Sequence, residues 1–569
     1  MIEKKLRQEI AKIAKKNWQV ELSDVVLVSP KELWQGDLTT NVGMKVAARW
    51  GVPASQAADI VIGELVQSKF IKKNFTKVTM AGPGFVNFFM SPQALYETVQ
   101  GGLKNTASPD WRGQKVIVEY SSPNIAKPMH VGHLRSTIIG QALVNLYAAL
   151  GAKVVAINYL GDWGTQFGKL LVAYDQWGSK VALKHNPIDE MLRVYVKFHE
   201  QVKKNPELEK QAQAAFYQLE KGNAKYVRQW KLFRQYSLVE FKGLYKRLRV
   251  NFNHWEGESM YQRLLKIIIK DLVTKNVATV NEDKSIVVLF NDNKTPAMLI
   301  QKSDGASLYA TRDLAALKAR VKKYQPRLML YVVANQQALY FEQLFTIANK
   351  AGLAPKTNLR HIKFGLVLGA GKKKMATREG EVIKLEELLN QAADLAWRII
   401  EKKNPQLKSN AKTKVAEAVG VGAVKYNDLS QNRLTDIVFD WKKMLSLDGN
   451  SGPYLQYTYV RMKSILRKMG KCQMLKFRVA SLSDEDMELL RKLAQFKNAL
   501  ERAAQDNGPH LVATYLYELA DTVNSYYHES PVLKAPEPAR SNRLKLVKQA
   551  AETLKQGLGI LGIQVVERM

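Results

Sequence analysis

The runs VIVEY (116–120) and VVAINYL (154–160) are apolar almost throughout, and a stretch of helical pattern lies between them. A strand with one wet face alternates in polarity, whereas a strand covered on both faces does not. Apolar runs alternating with helical stretches from Lys115 onward therefore predict a parallel, helix-covered sheet. The pattern returns in AMLIQ (297–301), LMLYVVA (328–334) and FGLVLG (364–369).

That sheet cannot account for the whole chain. At 569 residues the protein is too long for one core and is expected to divide into about three or four domains. Residues 1–105 read as a small α/β unit: an amphipathic helix in MIEKKLRQEIAKIAKK, then KVTMAGPGFVNFFMS (77–91), whose alternating aromatics and glycines suggest strands around a turn. ASPDWRGQ (107–114) reads as a linker to the sheet domain at 110–400, in which residues from about 178 to 285 are charged, mostly helical and read as an insertion. After KKNPQLKSNAKTK, residues 401–569 carry helical periodicity almost throughout.

Composition narrows the class of function. Hydrophobic residues make up 46% and charged residues 24%, as in folded soluble proteins, and no apolar run approaches the roughly 20 residues of a membrane span. The N-terminus lacks the apolar core and cleavage site of a secretory signal. Cys472, the only cysteine, excludes an intrachain disulfide and a cysteine-cluster zinc site, and fits the cytoplasm. The 86 Lys and Arg against 52 Asp and Glu leave a net charge of +34, a field that attracts polyanions such as nucleic acid. A generally basic surface kept for solubility would give the same number.

The stretch NIAKPMHVGHLR (124–135) follows the first strand and opens a helix. A helix starting at the end of a parallel strand aims free N–H groups and its positive dipole end at the crevice where ligands bind. His130 and His133 stand on neighbouring positions of the first turn, and Gly132 leaves the backbone bare between them. Two donors and a gap suit a triphosphate. On its own the pattern is equally that of two histidines capping a helix, with a glycine for packing.

HVGH after a strand, with KMATREG (374–380) far downstream, resembles the two ATP-binding motifs of class I aminoacyl-tRNA synthetases. The longer stretches SSPNIAKPMHVGHLRSTIIG, NYLGDWGTQFG, SDGASLYATRD and GPYLQYTYVR, in that order, resemble the arginyl-tRNA synthetases in particular. The resemblance covers nearly the whole chain and is weakest at about 178–285. It implies an α/β multidomain protein: a Rossmann-type parallel-sheet catalytic domain with a helical insertion, a small α/β N-terminal domain that binds the tRNA D-loop, and an all-α C-terminal anticodon-binding bundle. The activity implied is that of an arginine–tRNA ligase, forming arginyl-AMP and pyrophosphate from arginine and ATP, then moving arginine to the 3′ end of its tRNA. ATP would come as its Mg²⁺ complex, with no zinc and no protein-held metal, in a cytoplasmic monomer that needs no membrane.

The resemblance also assigns roles. His130 and His133 would stabilise the phosphates, with Lys374 and, in place of the missing second lysine of the class pattern Lys-Met-Ser-Lys-Ser, Lys127. Gly132, Met375, Thr377 and Arg378 would touch ATP, the last three in a lid loop at 369–382, where Ala376 removes the usual hydroxyl. A guanidinium is a planar fork of five donors and needs carboxylates and other acceptors. The resemblance gives this task to Asp313 and Tyr309, with Glu119, and gives the amino-acid end to Ser122, Asn124 and Gln337. In GDWGTQFG, Asp162 and Gln166 are candidates for ligand contact, while Trp163 and the glycines equally suit a role in shaping the pocket wall. For tRNA, Phe85 would stack a D-loop base and Asn87 read its edge, while Tyr454, Tyr457 and Arg461 would meet the anticodon unless that helix is simply packed in a bundle. Two other functions share part of the pattern: a small-molecule nucleotidyltransferase, usually shorter, and a tRNA-binding protein with a dead site.

Overall fold

The computed structural model describes residues 2–21, 25–28, 30, 35–290, 295–369, 383–470 and 474–569. Helix α1 (Ile2–Trp18) buries Leu6, Ile10 and Ala14, a four-residue spacing that turns one stripe inward. It covers an antiparallel sheet of order β1-β2-β4-β3, formed by β1 (Leu27–Val28), β2 (Leu38–Thr40), β3 (Phe75–Ala81) and β4 (Phe85–Met90). Between β2 and β3 run α2 (Val42–Trp50), α3 (Ala54–Leu65) and α4 (Lys69–Asn74), and α5 (Pro92–Lys104) follows β4. The expected strand pair around GPG is the β3–β4 hairpin.

The second sheet is parallel and five-stranded, of order β12-β11-β5-β6-β7: β5 (Lys115–Glu119), β6 (Lys153–Leu160), β7 (His254–Gly257), β11 (Leu328–Tyr331) and β12 (Asn358–His361). Val116, Ile117 and Val118 are at most 1% exposed, because helices cover both faces, so the strand needs no alternation. The chain adds strands outward from β5 on one side and then returns to its other side with β11. The order therefore reverses between β5 and β11, and a crevice opens at their carboxyl ends.

Helix α6 (Val131–Ala149) links β5 to β6. After β6 come α7 (Thr165–Trp177), α8 (Lys180–His185), α9 (Pro187–Val202), α10 (Glu207–Glu220) and α11 (Ala224–Leu248). The chain then forms β7, inside the span 178–285 read as an insertion, so that span carries an edge strand of the main sheet. A 3₁₀ turn (Glu258–Leu264), α12 (Leu265–Thr274), α13 (Tyr309–Tyr324), a 3₁₀ turn (Asn335–Gln337) and α14 (Ala338–Lys350) complete this domain. Two expectations are corrected. AMLIQ supplies β10 (Met298–Gln301), which pairs antiparallel with β9 (Ile286–Val288) and, through it, β8 (Thr279–Val280), in a separate small sheet. FGLVLG supplies β13 (Val367–Leu368), which pairs with β14 (Ile437–Val438) far along the chain. An apolar run of this length does not specify which strand it pairs with.

The remainder is helical: α15 (Leu385–Lys403), α16 (Ser409–Leu429), α17 (Trp441–Met444), α18 (Gly452–Lys468), α19 (Asp484–Ala494), α20 (Phe496–Gln505), α21 (Pro509–Glu529) and α22 (Ala539–Ile560). Helix α6 is enclosed along most of its length, burying Leu134 through Leu143 without a polar face. Its far end is bonded into the helical domain. Tyr147 OH donates to Ala504 O (2.9 Å) and contacts Asn507 Oδ1 (2.8 Å), and Asn145 Nδ2 donates to Ile560 O (3.1 Å). The small N-terminal domain meets the same bundle, with the Tyr96 and Phe477 rings stacked at 3.7 Å. Among the described residues, no helix is long and apolar enough to cross a membrane.

Candidate functional site

His130 is the N-cap of α6, and its backbone is extended rather than helical. Its Nδ1 accepts the Gly132 N–H (3.1 Å), and His133 Nδ1 accepts the His130 N–H (3.1 Å), a reciprocal capping box. Capping therefore fixes the tautomer. With both Nδ1 atoms used as acceptors, each neutral ring carries its proton on Nε2 as a donor. Burial, followed by the neighbouring His130, lowers the His133 pKa to about 3, and burial and Lys127 lower that of His130. At neutral pH the site thus holds a pair of uncharged donors, ring centroids 4.0 Å apart. A side chain at Gly132 would place its Cβ 2.8 Å from the His130 ring, so the glycine is what lets that ring fold onto the helix end.

The chain between β5 and α6 is strained. Ser121, Ser122 and Ala126 all have left-handed backbones, at φ 71°, 48° and 64°. Each such residue costs on the order of 1–3 kcal/mol and persists only where its surroundings over-determine it. Here the Ser121 N–H donates to Ser136 Oγ (2.9 Å), and the Ser121 hydroxyl contacts Thr137 Oγ1 and Tyr245 OH, each at 2.7 Å. The Ser122 N–H donates to Asn158 Oδ1 (3.2 Å) and the Ala126 N–H to Ser237 Oγ (2.8 Å). Ser237 and Tyr245 both come from α11, so that helix holds the loop in shape. Asn124 is exposed on the loop, its backbone bridged to Gly161 at the end of β6. Lys127 Nζ lies 5.0 Å from the ring centre of Tyr195, on α9.

Residues 374, 375, 377 and 378 lie outside the described residues. The chain that follows them is stapled to the histidines: the Val131 N–H donates to Ile383 O (3.2 Å), and the Leu385 N–H to Met129 O (2.9 Å). His130 and Lys384 form an antiparallel bridge.

Acidic groups gather beneath the crevice. Glu119, at the end of β5, is buried against the Arg320 guanidinium, which also donates from Nε to Glu256 Oε2 (2.8 Å). Glu258 pairs with Arg312 (3.0 Å), and Asp162 with Arg234 (3.2 Å). Five carboxylates, Glu119, Asp162, Glu256, Glu258 and Asp313, thus face three guanidinium groups, Arg234, Arg312 and Arg320. Asp313 is the odd one out. It accepts the Tyr340 hydroxyl and has no ion-pair partner among the described residues. Burial pushes its pKa up to about 7, and burial pushes Glu258 up to about 8 against the pull of Arg312. A buried cluster of this composition lacks a cation. Tyr309 stands one turn before Asp313 on α13, 56% exposed, with the Arg312 guanidinium 5.0 Å from its ring. Gln337 is exposed in the turn just beyond β11, on the other side of the crevice.

Several expectations change. Glu119 is already held by Arg320, so it contributes charge more than a free acceptor. Asp162 is closed to ligand, being fully buried. It accepts the Ser259 N–H (3.0 Å), the Ser259 hydroxyl (2.9 Å) and Arg234 Nε, and thereby fixes the segment that carries Glu258. A Cβ at Gly257 would stand 2.1 Å from the Asp162 carboxylate, which explains the glycine. Gln166 is half-buried at the start of α7. Asn87 is 4% exposed in the middle of its sheet, flanked by Thr39 and Thr79, whereas Phe85 is 37% exposed. Tyr454 is tied into the bundle, its hydroxyl accepting from Asn524 Nδ2 (2.8 Å), but Arg461 lies between the rings of Tyr457 (5.4 Å) and Tyr527 (5.0 Å), both partly exposed. Sequence reasoning missed Glu258, Tyr340, Tyr195 and Tyr527. The first follows a strand inside the presumed insertion, and the others carry no local pattern.

Three family models match the chain in register: the N-terminal domain of arginyl tRNA synthetase at residues 1–90, the catalytic domain of class I (R) tRNA synthetases at 93–441, and the DALR anticodon binding domain at 455–569. An arginine–tRNA ligase of Clostridium botulinum is 42% identical over 515 residues, 90% of this chain and 91% of that protein. One of Fusobacterium nucleatum is 42% identical over 511 residues, 88% and 89% of the two chains. Among solved structures, the Thermus thermophilus arginyl-tRNA synthetase superposes with a TM-score of 0.83 at 24% identity over 100% of both chains. The Plasmodium falciparum enzyme gives 0.84 at 24% identity, covering 100% of this chain and 99% of that one.

Proposed function

Because the chain belongs to the arginyl-tRNA synthetases, class I enzymes that ligate arginine to tRNA, we propose that its crevice activates arginine against ATP with the residues placed above. The observation that carries this reading is Asp313, a buried carboxylate lacking an ion pair among the described residues, in a pocket with more described acids than bases. The arginine guanidinium supplies the missing charge, lying against Asp313, with Glu258 and Tyr309 beside it. The compact ammonium of lysine would leave the fork of acceptors unfilled.

ATP, brought in with Mg²⁺ on its phosphates, lies over the start of α6. The arginine carboxylate attacks the α-phosphorus in line, and pyrophosphate leaves with the bond electrons, giving arginyl-AMP. Such chemistry asks mainly for positioning and for donors aimed at developing charge. Neutral His130 and His133 donate from Nε2, and Lys127 supplies positive charge, as would Lys374. The Nδ1 caps keep both rings from swinging away, and burial keeps them from titrating near neutrality. Ser122, Asn124 and Gln337 hold the amino-acid end, and Gly132, Met375, Thr377 and Arg378 the nucleotide. A terminal ribose hydroxyl of the tRNA then attacks the arginyl carbonyl, and AMP leaves.

Phe85 stacks on a base of the D-loop, while the Tyr457–Arg461–Tyr527 cluster meets the anticodon. The segments 1–105, 110–400 and 401–569 act in these three capacities, in a cytoplasmic monomer. The test is ATP–pyrophosphate exchange, with and without arginine and with and without tRNA. Exchange that needs no amino acid would indicate a nucleotidyltransferase, and tRNA binding without exchange an inactive descendant.

A further inference from the structure

Asp313 stands on α13 in a cluster whose other carboxylates are already paired: Glu258 with Arg312, Glu119 and Glu256 with Arg320, and Asp162 with Arg234. Arg312 and Arg320 are close enough to act on Asp313 electrostatically, yet neither is ion-paired with it. Its partner is a phenol from another helix. Tyr340, in the first turn of α14, donates its hydroxyl to Asp313 Oδ2. Among the described residues this is the only side-chain hydrogen bond that either group makes. The Tyr340 ring is seated apart from that bond, edge-on to Phe341 with centroids 5.4 Å apart. Gln337 is the N-cap of the same helix, so one short piece of chain carries both the residue proposed for the amino-acid end and the phenol on the acid proposed for the guanidinium.

The choice of partner matters. A hydroxyl satisfies one lone pair of a carboxylate and brings no charge, which leaves Oδ1 and the negative charge for a ligand. A resident guanidinium in that place would cancel the charge and fill the plane in which a second fork must lie. With no partner at all, the side chain could turn about χ1 and χ2 and, among so many acids, would more readily take up a proton. Tyr309, Arg312 and Arg320 share α13 with Asp313, while Glu119 faces it from β5, Tyr159 from β6, Glu258 from the 3₁₀ turn and Tyr331 from β11. Of all these groups only Tyr340 gives it a hydrogen bond.

We propose that Tyr340 is a positioning residue for arginine, its hydroxyl fixing the Asp313 carboxylate and favouring its ionised form while leaving the charge for the substrate guanidinium. The proposal rests on the reading of the crevice as the site of arginine activation. It is tested with Tyr340→Phe in the full-length protein, which keeps the ring and loses only the donor, and thermal unfolding checks that the fold is retained. A hydrogen bond to an ionised group is worth about tenfold in an equilibrium, so its loss should move the titration of Asp313 from about pH 7 to about pH 8. In ATP–pyrophosphate exchange with tRNA present, the arginine KM of the variant is then expected to exceed that of the unmodified protein about ninefold at pH 6 and about fivefold at pH 7, and to match it within about 1.2-fold at pH 9. The kcat at saturating arginine and the KM for ATP should be unchanged at each pH. Replacing Tyr340 by 3-fluorotyrosine, a stronger donor of nearly the same shape, should move the profile the other way and lower the arginine KM at pH 6. A purely structural role would raise the KM of Tyr340→Phe by the same factor at every pH. That result, a KM ratio near one throughout, or an arginine KM at pH 6 that 3-fluorotyrosine leaves unchanged or raises, overturns the proposal. Exchange by the unmodified protein that needs no arginine overturns the functional reading instead.

Discussion

Arginine binding should be governed by pH through Asp313. In the free protein its pKa stands at about 7, because burial disfavours the charged form more than the Tyr340 hydroxyl and the nearby Arg312 and Arg320 favour it, while Glu119 repels it. Glu258 and Tyr159 also face this cluster, and each titrates higher than usual because of burial. A bound guanidinium stays charged at any relevant pH and pulls the carboxyl back toward its ordinary range near 4, so binding releases a proton. The sign follows: affinity rises as pH rises through about 7 and is lost below it. At pH 6 such a carboxyl is ionised in about one molecule in eleven and at pH 8 in about ten of eleven, so the arginine Kd should fall about tenfold between them, or about 1.4 kcal/mol. His133, with a pKa of about 3, is silent over this range. Calorimetry of arginine binding in two buffers of different ionisation enthalpy would report both the Kd and the proton. A dependence steeper than tenfold would mean that Glu258, at about 8, is drawn in as well. A Kd constant from pH 6 to 8, with no proton released, would refute the assignment of Asp313 to the guanidinium.

His133→Ala should abolish adenylate formation while leaving tRNA affinity nearly unchanged, and it should cost about 1 kcal/mol of stability, because the capping bond to the His130 N–H goes with it; pyrophosphate exchange, tRNA binding and thermal unfolding check the three. Asp313→Asn should raise the arginine KM at pH 8 and flatten its pH dependence, with the ATP KM unchanged. Tyr195→Leu should lower kcat for exchange, as should Lys127→Ala, while Tyr195→Phe, which keeps a ring beneath the ammonium, should remain near the unmodified rate. Arg135 and Asp428 form a pair of which each member is 1% exposed, so Asp428→Ala should destabilise by about 3–5 kcal/mol in denaturant unfolding, and the apolar double variant Arg135→Met with Asp428→Leu should recover much of the loss.

How much of this was legible beforehand differs from residue to residue. β5, β6 and β11 could be read because both their faces are covered, so an unbroken apolar run was their only option. Met298–Gln301 has the same composition but sits in a small antiparallel sheet, since a run of four residues specifies burial and not partners. The histidines were visible through their spacing, yet the reason for Gly132 was not: only coordinates show that the first obstacle to a side chain there is the His130 ring. Glu258 escaped notice because its importance lies in what surrounds it. It is brought beside Asp313 by a strand, β7, that a charged helical span had concealed. Asn87 was named by its motif, and only the strand pairing shows it enclosed between Thr39 and Thr79.

The enclosure of α6 bears on how this architecture can be taken apart. Three consecutive stretches of sequence match three separate families, which suggests modules that could be traded or dispensed with. Yet one end of α6 carries the imidazoles of His130 and His133, while Asn145 and Tyr147 at the other end are anchored to residues at 504–560. A chain cut after the activation domain would expose the apolar flank of the very helix that presents His130 and His133, and a foreign anticodon domain would have to reproduce that flank's shape. The sheet domain and the helical domain thus stand or fall together through one shared helix.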